Sequence, residues 1–133
     1  MANRITGGSV VVAAMVLTTL GVAAQQAPAF TRTVLQQVEL TVPGREAVMV
    51  RGEFPAGSET GKHTHPGEEI SFVEAGPFVL EIDGQPAKTF QTGQVFSVPS
   101  GKVHNGHPNP GGTAKIIATY VIEKGKPVSS PAK

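Results

Sequence analysis

Hydrophobic positions along this chain fall into short runs that alternate with polar ones. From Thr33 onward the runs are "TVLQQVEL", "AVMVRGEF", "EISFVEAG", "PFVLEIDG", "TFQTGQVFSV" and "AKIIATYVIE". Val, Ile, Phe and Thr dominate them, and Gly and Pro bound them at short intervals, the mark of strands separated by turns. In the second run Val48, Val50 and Phe54 share one parity, while Met49, Arg51 and Glu53 take the other. In the fourth, Phe78, Leu80 and Ile82 oppose Val79, Glu81 and Asp83. Period-two alternation predicts half-buried antiparallel strands. No window beyond the first stretch carries a 3.6-residue period, and the core does not repeat. The pattern predicts one all-β domain, a small sandwich or barrel.

The two ends read differently. "MANRITGGSVVVAAMVLTTLGVAAQQAPA" has one early charge at Arg4, an apolar run from Val10 to Ala24, and small residues before Gln25. That layout predicts a cleavable secretory leader helix over residues 1–24, with export to the periplasm or outside the cell. The apolar run is shorter than the roughly 20 residues a membrane-spanning helix needs, although an uncleaved anchor is the alternative. Asn3 precedes Arg4, so there is no twin arginine, and export in the unfolded state is expected. Residues 25–32 are expected to form a flexible polar arm and 33–124 the barrel. "GKPVSSPAK", residues 125–133, is Pro- and Ser-rich and is expected to be a disordered tail.

Composition narrows the functional classes. The chain of 133 residues carries 11 basic and 10 acidic residues. Without Arg4 these balance, which leaves no electrostatic case for nucleic acid, or for a membrane beyond an uncleaved leader. Cysteine is absent, so disulfides, thiol nucleophiles and thiolate metal sites are excluded. A small domain with open sheet edges and a modest core is expected to pair as a homodimer, with the segment from Thr31 to Val42 able to lend a strand.

The chemistry concentrates in "GKHTHPGEEI", Gly61 to Ile70. Two of the four histidines stand one residue apart, a spacing that shares a face on a strand but not on a helix. If the strand is regular from His63, then His63, His65 and Glu69 lie on one surface, and Glu68 points away. Imidazole nitrogens and a carboxylate oxygen bind divalent transition metals at about 2.0–2.2 Å. Ser71 and Val73 have the same parity and are expected to line a cavity. The remaining histidines, His104 and His107, lie in "VPSGKVHNGHPNPGG".

At this point the chain resembles the cupins. Gly57, His63, His65, Glu69 and Gly76 match the first cupin motif without departure. Gly93, Pro99, Gly101 and His104 match the second, with Pro108 where asparagine is expected and Asn109 one residue late. The resemblance implies a jelly-roll barrel of six to eight strands, covering about Thr33 to Glu123. It implies a single metal held by His63, His65, Glu69 and His104, with Pro99 and Gly101 forming the turn that aims His104 inward. The motif glycines would supply the positive φ that barrel turns need. His107 falls outside the ligand pattern, and Tyr120 is read as core or rim. The donor set suits Zn, Mn, Cu, Fe or Ni, one ion per chain. The expected function is a metal-dependent enzyme, of dioxygenase, lyase or isomerase type, acting on a small oxygenated molecule. A non-catalytic module that binds a small molecule or metal is the alternative, since this fold hosts many chemistries.

Overall fold

The alternation in "AVMVRGEF" is realised along β2 (Arg45–Phe54), where Val48, Val50 and Phe54 are buried and Met49 is exposed. The structure, a computed structural model, describes residues 28–133, so the expected leader over 1–24 lies outside the described residues. Among the described residues no helix forms and ten strands do. β2 pairs with β1 (Thr31–Glu39) on one side and β9 (Ala114–Glu123) on the other. β9 pairs in turn with β4 (Gly67–Ala75), and β4 with β7 (Val95–Val98), closing one five-stranded sheet. The second sheet runs β10 (Ser130–Pro131), β3 (His63–Thr64), β8 (His104–Pro108), β5 (Phe78–Ile82), β6 (Lys88–Phe90). Every pairing is antiparallel.

Inward residues of both sheets meet in one core that includes Val50, Phe54, Val73, Phe78, Val98 and Ile122. Each such side chain contributes about 1.5–3 kcal/mol on burial. Phe30 stacks on Phe54 at 5.1 Å, Phe54 meets the edge of Phe78 at 5.1 Å, and Phe78 stacks on Phe96 at 5.6 Å. This aromatic row fills one part of the barrel, while the histidines gather in another.

Three expectations change here. The stretch from His63 to Val73 is not one strand: the chain leaves the second sheet after Thr64, passes through Pro66, and enters the first sheet at Gly67. Parity survives the crossing, because Gly67, Glu69, Ser71 and Val73 are all buried and Glu68 is exposed. "TFQTGQVFSV" likewise splits at a turn over residues 91–94, putting β6 and β7 in different sheets. The sheets also extend past the expected limits of 33–124. Thr31 and Arg32, assigned to a flexible arm, belong to β1. Residues 125–133, expected to be a disordered tail, return to the barrel. Ser130 pairs with Thr64 and Pro131 with His63, and Ala132 donates its N–H to the Lys62 carbonyl at 2.9 Å. Backbone pairing with an otherwise unpaired edge outweighs the poor strand propensity of that segment.

Candidate metal centre

His63 on β3 and His104 on β8 are direct cross-strand partners, with ring centroids 4.2 Å apart. His65 stands where the chain crosses between sheets, 4.7 Å from the His63 ring and 4.9 Å from that of His104. Gly101 makes this meeting possible. Its φ of 72° lies in the left-handed region that favours glycine, and its N–H donates to the His65 carbonyl at 3.0 Å. The turn before β8 is thereby tied to the segment carrying His65. One nitrogen from each ring lies within 4.8 Å of the others.

The hydrogen bonds at the other nitrogen decide what these rings can do. His63 Nδ1 donates to the Gly61 carbonyl at 2.8 Å and His104 Nδ1 to that of Lys102 at 2.9 Å. His65 Nδ1 donates to the carbonyl of Val128, in the returning tail, at 2.6 Å. A neutral imidazole that gives its hydrogen at Nδ1 presents a bare lone pair at Nε2. His65 and His104 are each 3% exposed, and their Nε2 atoms are buried without a hydrogen-bond partner. They face Glu69 Oε2, at 3.0 Å from His65 and 3.3 Å from His104. Contacts that short between acceptors, with no hydrogen between them, are unfavourable unless a cation lies among them. The donor set therefore fits a divalent metal, with backbone carbonyls fixing each ring as metal sites require.

Glu69 reaches the cluster from the other sheet, paired in register with Val98 and Tyr120. Burial pushes its carboxyl up, but contact with His104, then His65, then Ser71 outweighs burial and holds it down at about 2. The imidazole contributions need a positive partner, a proton on the ring or a metal between the rings. That of Ser71 stands in either case, since its hydroxyl donates to Glu69 Oε1 at 2.6 Å. Burial pushes His63 down to about 4, against the Gly61 carbonyl, which keeps the ring neutral at neutral pH. Burial and the Glu69 charge push the Tyr120 phenol up, so it stays protonated; its ring lies 4.5 Å from His65.

Of the residues singled out in the sequence, the structure thus brings His63, His65 and His104 together and sets Glu69 against the latter two. Contrary to expectation, neither Ser71 nor Val73 lines the cavity beside the cluster: Val73 is packed in the core, and Ser71 is buried with its hydroxyl donating to Glu69. His107 has the parity opposite to His104 on β8 and points outward, its Nε2 3.7 Å from Glu81. Of the motif glycines, Gly57, Gly93 and Gly101 have positive φ and Gly76 does not; a Cβ at Gly76 would fall 2.8 Å from Val73 Cγ1. A cavity of about 150 Å³ opens beside the cluster. His63, Glu69 and His104 form its polar wall, Val50, Phe54, Phe78, Leu80 and Ile116 its apolar wall, and Arg32, Lys62 and Ser129 also line it. Arg32, Val128 and Ser129 escaped sequence reading, since both segments looked like loose ends.

The cupin domain profile matches residues 50–122, more than half of the chain. The chain is a cupin. Solved structures agree on the fold. A conserved double-stranded β-helix protein from Klebsiella pneumoniae is 15% identical, with TM-score 0.64 over 79% of this chain and 85% of its own. A cupin-like protein from Thermotoga maritima is 24% identical, with TM-score 0.63 over 77% and 78%. The DMSP lyase DddQ from Ruegeria pomeroyi is 22% identical, with TM-score 0.58 over 65% of this cupin and only 43% of its own chain. No curated protein sequence matches this cupin.

Proposed function

We propose that this cupin is an exported, metal-dependent enzyme acting on a small oxygenated organic molecule. One observation carries the reading: buried imidazole lone pairs converge with a carboxylate on the wall of a largely apolar cavity. A purely structural ion would need no such space beside it. His63, His65, His104 and Glu69 would hold a divalent metal, which when bound supplies Lewis acidity to a substrate oxygen. The chain's own groups do the rest. The carbonyls of Gly61, Lys102 and Val128 orient the rings. Ser71 fixes the Glu69 carboxylate, and the phenylalanine wall excludes water from the reacting end. The likeness to a DMSP lyase supports an enzymatic role without fixing the reaction.

Anaerobic reconstitution with zinc, manganese, copper, iron or nickel, followed by a metabolite screen read by oxygen uptake and product mass, tests this function. Turnover that depends on one metal and disappears in His104→Ala is expected; absence of turnover with every metal refutes it. The leader-like residues 1–24 support export, and a mature mass beginning at Gln25 in the secreted or periplasmic fraction checks it. Homodimerisation is supported by β1, an edge strand exposed along its whole length with Val34 59%, Leu35 43% and Val38 46% exposed. Light scattering that finds only monomer at micromolar concentration refutes the dimer.

A further inference from the structure

The cavity has a second polar feature that the metal ligands do not use. Arg32 on β1 stands directly opposite Gly52 on β2, and cross-strand partners share a face of the sheet. Gly52 is buried on the inner face, so Arg32 projects from that face at the sheet's edge, where it lines the cavity. Gly52 leaves the approach open, for a side chain there would crowd the cavity's own wall: its Cβ would lie 3.0 Å from Phe54 and 3.2 Å from Ile116.

Arg32 is also uncommitted. Among the described residues its side chain has no carboxylate within 4.0 Å, and its one side-chain hydrogen bond, to Ser129 Oγ, is long at 3.4 Å. Lys62, the other cation lining the cavity, already donates to Asp83 at 2.8 Å. Much of the cavity lining is apolar, and Phe30, two residues before Arg32, stacks on Phe54. An apolar-walled cavity of about 150 Å³ holds a molecule of roughly benzene's size.

We propose that Arg32 binds the carboxylate of the substrate, and that the substrate is a small organic acid with an apolar body. The inference rests on the metal-dependent reading and names the substrate class for the same site. The guanidinium fork matches a carboxylate bidentately, and the body lies along Phe30 and Phe54 toward the histidines.

Benzoate and benzamide have the same shape and differ in charge, so calorimetric titration of both into the zinc-loaded chain isolates the role of Arg32. A charge-assisted pair predicts that the wild type prefers benzoate by roughly tenfold to a hundredfold. Arg32→Gln brings that preference below about threefold, Arg32→Lys retains part of it, and Lys62→Gln leaves it unchanged. Melting curves and zinc content confirm that each variant is folded and loaded. Equal binding of the two probes by the wild type overturns the proposal, as does a preference that survives in Arg32→Gln or is lost only in Lys62→Gln. So does failure of both to bind at millimolar concentration. Zinc content is read separately: a chain that takes up no zinc refutes the metal-dependent reading, and the benzoate preference and its loss in Arg32→Gln are then scored on the metal-free chain.

Discussion

Replacing Ser71 by alanine removes one hydroxyl from the interior and leaves no appreciable void. Ser71 is 1% exposed and Glu69 4%, and the bond between them is 2.6 Å long. A hydrogen bond to a charged group contributes about 1.5–3 kcal/mol, and here no water can replace the lost donor. An unfolding entropy of roughly 2.1 cal/mol/K per residue, over about 106 described residues, converts each kcal/mol into a Tm change of about 4–5 °C. Ser71→Ala in chelator should therefore melt roughly 7–14 °C below wild type at neutral pH. Its zinc affinity should fall by about 10–100-fold, as when a ligand loses an outer hydrogen bond. The sign of the pH dependence follows from Glu69. Its folded pKa, about 2, lies below the ordinary 4.5, so the stabilisation is fully present above 4.5 and is lost as pH falls from 4.5 toward 2. The deficit of Ser71→Ala should accordingly shrink across that window. In a Glu69→Gln background the same substitution should cost less than about 1 kcal/mol. A variant melting within about 2 °C of wild type, or one whose deficit is the same with and without the Glu69 carboxylate, refutes the assignment.

The ligand set predicts that His63→Ala, His65→Ala and His104→Ala each lose most bound zinc, that Glu69→Gln weakens it, and that His107→Ala and Glu68→Gln keep it. Elemental analysis decides, alongside melting curves in which zinc at a hundredfold over Kd adds about 2.7 kcal/mol to a competent site. Lowering pH should destabilise the metal-free chain even before Glu69 titrates: His63 is held at about 4, below the ordinary 6.5, so the unfolded chain takes up its proton first and stability falls from 6.5 toward 4. Urea titrations at several pH values check this, and a rise in stability across that range contradicts it. Deleting residues 127–133 should remove the carbonyl that fixes the His65 ring and lower zinc affinity by about tenfold or more, read by competition with a chromophoric chelator.

The candidate ligands were legible because their signal is local. Alternation carries through the bend at Pro66, so parity assigned His63, His65 and Glu69 inward and Glu68 outward although the strand itself breaks. The buried faces of β2, β5 and β9 could be read for the same reason. β8 could not: "HNGHP" has no alternation and ends in proline, and its place follows from the partner β5, with Phe78 opposite Pro108 and Ile82 opposite His104. β10 is a two-residue bridge whose pairing depends on the free edge of β3, some 67 positions earlier. Arg32 was hidden by the polar sequence around it; only the register against Gly52 turns it toward the cavity. Long-range pairing supplied what composition had obscured.

The candidate ligand side chains are divided between the sheets: His63 and His104 on one, Glu69 on the other, His65 at the crossing. An ion gripping all four would act as a rivet through both layers, in a chain with no cysteine to provide a covalent one. Only one residue pair, His63 with His104, joins β3 to β8, so that seam is where the unriveted barrel should breathe. Amide exchange at Thr64 and Asn105 would then report occupancy of the site more sensitively than exchange in the long β2–β9 ladder, which has ten pairs to hold it shut. A bound ion would thus brace the barrel where its own pairing is thinnest.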